Sequence, residues 1–362
     1  FSAGDYDTCI KMLGSRKSDL ILTDIDSYML QYLKKDYLTS GKEINQTQAD
    51  MNSVTKGMTT AKTVEAALAG ENSVEYYGSP YERLLTYSMK ALNNLKAGSV
   101  SGAKGVMDDY TGNYKDVVSA LVQEQKKVNA MSYSDKIDSA NANLKKAGLA
   151  AFDLSKISSS DKGYNPSDEM YETSAFLSYL GSLIYSAYGD SSHASDMTLN
   201  NTHLADLLKE DVSIPQGKGR LDVIALTDLI GKRTEYSSEL MNMGVIGDAT
   251  VWFKIAYPVF AEQNHPIAVK SVSLSTGELK SFTLIEDFDK AVEMDVRSRQ
   301  KGARNRSIAR NVIKNSAAAV AGYAALESAQ QALDKASNPI AQKAAVAGYD
   351  AAKIALNEGL KA

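Results

Sequence analysis

The sequence predicts a mainly α-helical chain in which a small β-rich module is inserted before long C-terminal helices. Two observations carry that reading. The first is the placement of proline. The chain has 362 residues and 6 prolines, where average usage near 5% would give roughly 18. Stretches 1–79, 81–165 and 267–338 contain none, whereas Pro215, Pro258 and Pro266 fall close together. Proline removes a donor and clashes with the preceding turn in a helix interior, so proline-free stretches permit long helices. The second observation is a change of apolar period, from helical over the first 210 residues to strand-like between 217 and 286, and back to helical from Asp287.

Each element follows from its local pattern. Asp19 caps a predicted helix with Leu22, Ile25, Met29 and Leu33 on one face. Met51, Val54, Met58, Ala61, Val64 and Leu68 mark a second helix over 51–68. Pro80, ahead of Tyr81-Glu82-Arg83-Leu84-Leu85, suits a first helical turn. Residues 113–130 and 167–188 read as further helices, with 151–168, rich in Ser, Asp and Lys, as a linker or loop. Four segments read as strands: 220–226, 251–257, 268–274 and 280–285, with Ser275-Thr276-Gly277-Glu278 as a hairpin turn. Asn338-Pro339 resembles an N-cap with proline in the first turn. The pentapeptide Ala319-Val320-Ala321-Gly322-Tyr323 recurs as Ala345-Val346-Ala347-Gly348-Tyr349, either as two small-residue helices of a close hairpin or as a consequence of alanine-rich composition. The expected domains are 1–210, 211–286 and 287–362.

Four places share a turn phrase. Gly4, Lys35, Gly98 and Gly189 are each followed five residues later by a small residue: Cys9, Ser40, Ala103 and Ala194. A glycine that ends one helix and a small residue that admits the next is the turn of a tetratricopeptide repeat. Tyr185 and Ser182 ahead of Gly189, and Ala91 ahead of Gly98, fit its first helix, and Ile44 and Met107 fit its second. The expected fold class is therefore a mainly α, tetratricopeptide-like helical solenoid with a small β-rich module before long C-terminal helices. The competing reading is a set of ordinary helical hairpins with glycine in their turns.

The order of several landmarks resembles a group of poorly characterised bacterial lipoproteins with tetratricopeptide-like helices and an embedded β segment. The landmarks are Asp19 to Tyr37, Tyr77-Gly78-Ser79-Pro80-Tyr81-Glu82, Gly217-Lys218-Gly219-Arg220-Leu221-Asp222-Val223-Ile224, Lys254-Ile255-Ala256-Tyr257-Pro258-Val259 and the helix after Glu286-Asp287. The resemblance implies export, an amino-terminal lipid anchor and a periplasmic location at the outer membrane. It also gives a hint of a role beside activators of penicillin-binding proteins. The chain departs from the family in two ways. Cys9 lies inside a helix pattern and not in a lipobox, and family members tend to continue into a further β-rich tail. The first residue is Phe1, which predicts a mature or trimmed amino terminus.

Composition and motifs narrow the chemistry. The net charge of −4 does not favour nucleic-acid binding. One cysteine excludes an intrachain disulfide framework. No apolar run is long enough to span a bilayer. His193, His203 and His265 do not have the spacing of a helical zinc pair. Gly189-Asp190-Ser191-Ser192 follows a helix and not a strand, so it reads as a helix turn with Ser191 or Ser192 as the cap. Gly217-Lys218-Gly219-Arg220 precedes a strand-like segment and reads as a turn, not a phosphate loop.

Two groups are candidate binding surfaces. Arg304, Arg306 and Arg310 belong to a basic helical stretch from Arg297 to Lys314, with Asp289, Glu293 and Asp295 upstream to neutralise part of it. It reads as a solvated or internally paired face, or as a surface for an anionic partner. Tyr76, Tyr77 and Tyr81 cluster around Gly78, either as wedges between helices or as aromatic contacts for a ligand. The expected function is a non-catalytic envelope scaffold or adaptor that binds protein partners through a helical groove. It would use no cofactor or metal, bind no nucleic acid, and touch membrane only through a lipid anchor. A cell-wall-active enzyme and a lipid or small-molecule carrier are the rivals.

Overall fold

A computed structural model of the chain describes residues 4–15, 20–57, 76–157, 163–199, 204, 217, 219, 221–227, 230–238, 241–246, 249–262, 271–273, 275 and 279–359. The described chain is mainly helical. In order, α1 is Tyr6–Leu13, α2 Leu20–Leu33, α3 Tyr37–Gly57, α4 Pro80–Lys96, α5 Val100–Asp109, α6 Lys115–Ala130, α7 Ser134–Lys146, α8 Ala175–Ala187 and α9 Ser191–Leu199. Six short strands follow: β1 Lys232–Ser237, β2 Met241–Ile246, β3 Ala249–Phe253, β4 Ala256–Ala261, β5 Ser271–Ser273 and β6 Leu279–Ser281. Helices α10, Phe288–Asp334, and α11, Pro339–Gly359, close the described chain. The Asp19 cap and the 58–68 part of the second predicted helix lie outside the described residues.

The recurring turn is a structural unit. Lys35, Gly98 and Gly189 all have positive φ, near 67°, 79° and 78°, and Lys35 is the one non-glycine residue with this geometry among those described. At each turn an amide reaches back to a carbonyl five residues earlier: Asp36 to Gln31, Ser99 to Asn94 and Asp190 to Tyr185, at 3.0, 2.8 and 2.9 Å. This left-handed closure satisfies carbonyls that a helix end leaves unpaired. The next residue then caps the following helix. Asp36, Ser99 and Asp190 side chains accept from the amides of Thr39, Gly102 and His193. Asp190, and neither Ser191 nor Ser192, is therefore the cap of α9. Ser40, Ala103 and Ala194 are buried where the paired helices meet. The hairpins α2–α3, α4–α5 and α8–α9 share one core, centred on Tyr28, Ile44, Met89, Met107, Leu177 and Tyr185.

Other expectations change in detail. The predicted 167–188 helix starts only at Ala175, capped by Ser174, and 169–174 is extended. The 113–130 helix begins at Lys115, after a wide turn over Tyr110–Tyr114. Residues 221–227 form no strand and pair with none of the strands among the described residues. The predicted strand 251–257 is two strands, broken at Lys254-Ile255. Predicted strand 280–285 shortens to β6, and β5 covers the described part of 268–274.

Every strand among the described residues lies between Lys232 and Ser281, as three antiparallel two-stranded ladders: β1 with β4, β2 with β3 and β5 with β6. Strands β3 and β4 are held by α10 as well as by their partner strands β2 and β1. Side chains one or two turns apart on α10 bond the strand backbone. Ser307 Oγ accepts from the Ala256 amide at 3.0 Å. Asn311 donates to the Lys254 carbonyl at 3.0 Å and accepts from its amide at 3.4 Å. Asn315 and Gln300 donate to the Trp252 and Pro258 carbonyls. Asn311 thus occupies both backbone groups at the point where the predicted strand breaks. Phe253 packs edge-on to Phe152, 5.1 Å between ring centres, in a second core shared by α7, α10 and α11.

Helix α10 has 47 residues, about 70 Å at 1.5 Å per residue. Its first half is largely buried, its last turns are mostly exposed, and α11 packs against it. The repeated pentapeptide plays two unlike parts. Gly322 lies against Leu356, where an added Cβ would sit 2.4 Å from a methyl carbon, while Gly348 faces open space. Tyr323 points outward and Tyr349 is half-buried, so the two copies turn opposite faces to the hairpin.

Candidate functional site

Two places concentrate polar chemistry. The first is a buried junction where α4, β1 and α10 meet. Its core is the segment Tyr76–Glu82, which the Ser79-x-x-Glu82 spacing folds into a helix start. Glu82 accepts from the Ser79 amide at 2.7 Å, half of a capping box. The same carboxylate accepts from the Tyr76 hydroxyl and, at 3.1 Å, from the Tyr81 hydroxyl. Burial first, and the Glu82 carboxylate second, push the Tyr76 and Tyr81 phenols up. Both stay neutral donors at physiological pH.

The Ser79 hydroxyl donates to Asp295 at 3.1 Å. Asp295 also accepts from Arg299 Nε and Nη2 at 3.1 and 2.9 Å. Arg299 continues to the Tyr77 hydroxyl at 3.0 Å, which donates in turn to Gln125 at 2.9 Å. Arg299 and Arg233 lie over the rings of Tyr77 and Tyr76, each 5.5 Å from the centre. Arg83 is fully buried behind this network. It donates to the Tyr77, Gly78 and Met51 carbonyls, to Thr55 Oγ1 and to Asn52 Oδ1. It therefore clasps the 76–79 loop to the end of α3 with neutral acceptors only.

The three tyrosines thus act as wedges and network members. The basic stretch is also interior. Arg304 and Arg306 are 9% and 8% exposed, with Arg304 4.9 Å above the Tyr164 ring. Arg310 is half-buried. Arg297 pairs with Glu293 at 3.6 Å and Arg299 with Asp295. A presented basic face is not what Arg304 and Arg306 form, because α10 is covered on several sides here. Sequence reasoning missed the roles of Glu82, Arg83 and Arg233, whereas Asp295 pairs within the basic stretch as its position upstream of it predicts. The Ser79-x-x-Glu82 spacing was the available signal for the first.

The second place is an open groove of about 380 Å³ between the non-helical segments 170–174 and 284–287 and the starts of α8 and α10. Met170, Tyr171, Leu284, Ile285 and Met294 supply its apolar walls, and Glu172, Asp287 and Lys290 its charges. Leu284 is 69% exposed. The Tyr171 hydroxyl is buried with no hydrogen-bond partner among the described residues. Glu286 is the half-buried carboxyl of the groove. It accepts from Ser174 Oγ at 2.6 Å and from the Phe176 amide at 2.8 Å, at the start of α8. Burial raises its pKa to about 7, against the lowering effect of the Phe176 and Ala175 amides.

A testable pH dependence follows from Glu286. An acid with a folded pKa near 7 and an unfolded pKa near 4.5 binds more protons when folded between those values. Its contribution is most favourable below pH 4.5, declines as pH rises to 7, and is constant above. E286Q is expected to be more stable than the parent by about 1–3 kcal/mol at pH 8, with no gain at pH 4. Urea denaturation at both pH values checks this, and an equal difference at both would refute it.

Apolar side chains are also exposed along the extended segment 221–227, at Leu221, Val223, Ile224 and Leu226. The Tyr179 hydroxyl anchors that segment through Asp222 at 2.7 Å. Among the described residues no group of three or more His, Cys, Asp and Glu has metal-binding geometry, and no helix is long and apolar enough to cross a membrane. His193 bonds Asp190 at 2.8 Å and stacks on Tyr185; His203 and His265 lie outside the described residues. Comparison with family models, curated proteins and solved structures finds no match.

Proposed function

We propose that the chain is a non-catalytic scaffold of the bacterial cell envelope, a lipoprotein whose tetratricopeptide-like helical solenoid binds a protein partner in cell-wall or outer-membrane assembly. The observation that carries the binding role is the groove between 170–174 and 284–287. It is open, walled by Met170, Tyr171, Leu284 and Met294, and bounded by non-helical backbone on two sides. Such a groove suits an extended peptide segment, with apolar pockets for alternate side chains. The exposed apolar row at 221–227 supports the same reading, since contiguous exposed apolar surface marks interaction sites. The repeated left-handed turns at Lys35, Gly98 and Gly189 support the solenoid. Glu286 is engaged as a helix cap, which favours binding over acid–base chemistry.

A photo-crosslinking residue at Leu284, with a control at exposed Lys301, tests the proposal in cells that express the full precursor. A protein adduct specific to position 284 in the envelope fraction is the expected result. No adduct, or an adduct to lipid alone, would overturn it.

A further inference from the structure

We propose that the outer face of α11 is a self-association surface that joins two copies of this chain in antiparallel register. Helix α11 buries one face against α10, through Ala341, Ala345, Tyr349, Ala352 and Leu356. A second face, Ile340, Ala344, Ala347, Ala351 and Ile354, is exposed along its whole length. Ile340 and Ile354 are 84% and 63% exposed. The spacing of four, three, four and three residues is the heptad spacing of a helix–helix seam. It places all five side chains within a narrow arc. The central alanines admit close approach, and the two isoleucines close the ends.

The two isoleucines are placed symmetrically about Ala347, each seven residues away. A twofold axis beside Ala347 sets Ile340 of one copy against Ile354 of the other, and the reverse, as an isologous contact requires. Charge supports a second copy as the occupant. Lys343 and Asp350 lie on the same flank of this face and are both exposed. They are seven residues apart, about 10 Å along the helix, which is too far for them to pair with each other. Neither has an ion-pair partner among the described residues. The same twofold axis brings Lys343 of each copy within one residue of the level of Asp350 in the other, on the same flank. Two complementary pairs form at once on one side of the seam, whereas a parallel twofold would put the two charged flanks on opposite sides of the seam and leave both residues unpaired across it.

The contact is one helix face per copy, below the roughly 800 Å² per partner of a standard interface. The expected dissociation constant is therefore on the order of 1–100 µM. Sedimentation velocity of the full chain across this range tests the proposal. I354E is expected to weaken dimerisation at least about 10-fold. K343D and D350K should each weaken it about 3- to 10-fold by placing like charges together twice, and K343D/D350K should restore it. All three substitutions are at exposed positions, and circular dichroism checks that the four variants remain folded. A parent chain that stays monomeric to about 500 µM overturns the proposal. A double swap no tighter than the single variants overturns it as well.

Discussion

R83M is expected to cost about 3–5 kcal/mol of unfolding free energy. Arg83 is wholly buried and donates to three backbone carbonyls, a hydroxyl and an amide oxygen, with no carboxylate among them. Its removal strands those acceptors in a dry interior, and each unsatisfied group costs about 1–3 kcal/mol before relaxation. The loop it clasps is itself constrained. Gly78 has φ near +77°, and a Cβ there would lie 2.9 Å from the Met51 methyl, so the loop has little freedom to find other donors. R83K should recover less than half of the loss, because a point charge on a flexible stem cannot replace a planar fork that reaches several acceptors. Urea denaturation of the three proteins measures this. A loss under about 1 kcal/mol for R83M would show that water replaces the clasp.

D295A is expected to cost about 3–5 kcal/mol, since breaking a buried ion pair from one side leaves the other charge uncompensated. Asp295 is 6% exposed and answers both Arg299 and the Ser79 hydroxyl, with Arg233 3.8 Å away. Without it, two guanidiniums remain against tyrosine rings with Glu82 as the junction's carboxylate. R299A should cost less, because it leaves a carboxylate that Ser79 and Arg233 still address. The double variant should be more stable than the sum of the singles predicts, by about 1–3 kcal/mol. Strict additivity in that cycle would mean that the pair is not a coupled unit. Because Asp295 ties α10 to the start of α4, protease cleavage near residues 76–79 should also quicken in D295A.

Much of the helical frame was legible because it is local. A positive-φ residue followed at once by Asp or Ser closes one helix and caps the next within a few residues. Gly98-Ser99 and Gly189-Asp190 therefore announce their turns in the sequence, and Lys35-Asp36 does so without a glycine. Pro80 and Pro339 each open a helix. The strands were less legible. Strand β1, Lys-Arg-Thr-Glu-Tyr-Ser, carries no apolar alternation, and it is a strand because β4 pairs with it. Residues 221–227 carry the apolar residues and belong to no strand among the described residues.

The sequence by itself therefore determined the helical hairpin turns and the helix starts at Pro80 and Pro339, and that a β-rich module lies within 211–286 between two helical regions. Only the tertiary structure decided that Arg304 and Arg306 are interior, that Asp295 meets Ser79 across 216 positions, and that Glu286 bonds Ser174, the cap of α8, across 112 positions. The physical reason is range. Capping and backbone handedness act within one turn of chain, whereas the burial of a charge depends on which distant acceptors the fold brings to it.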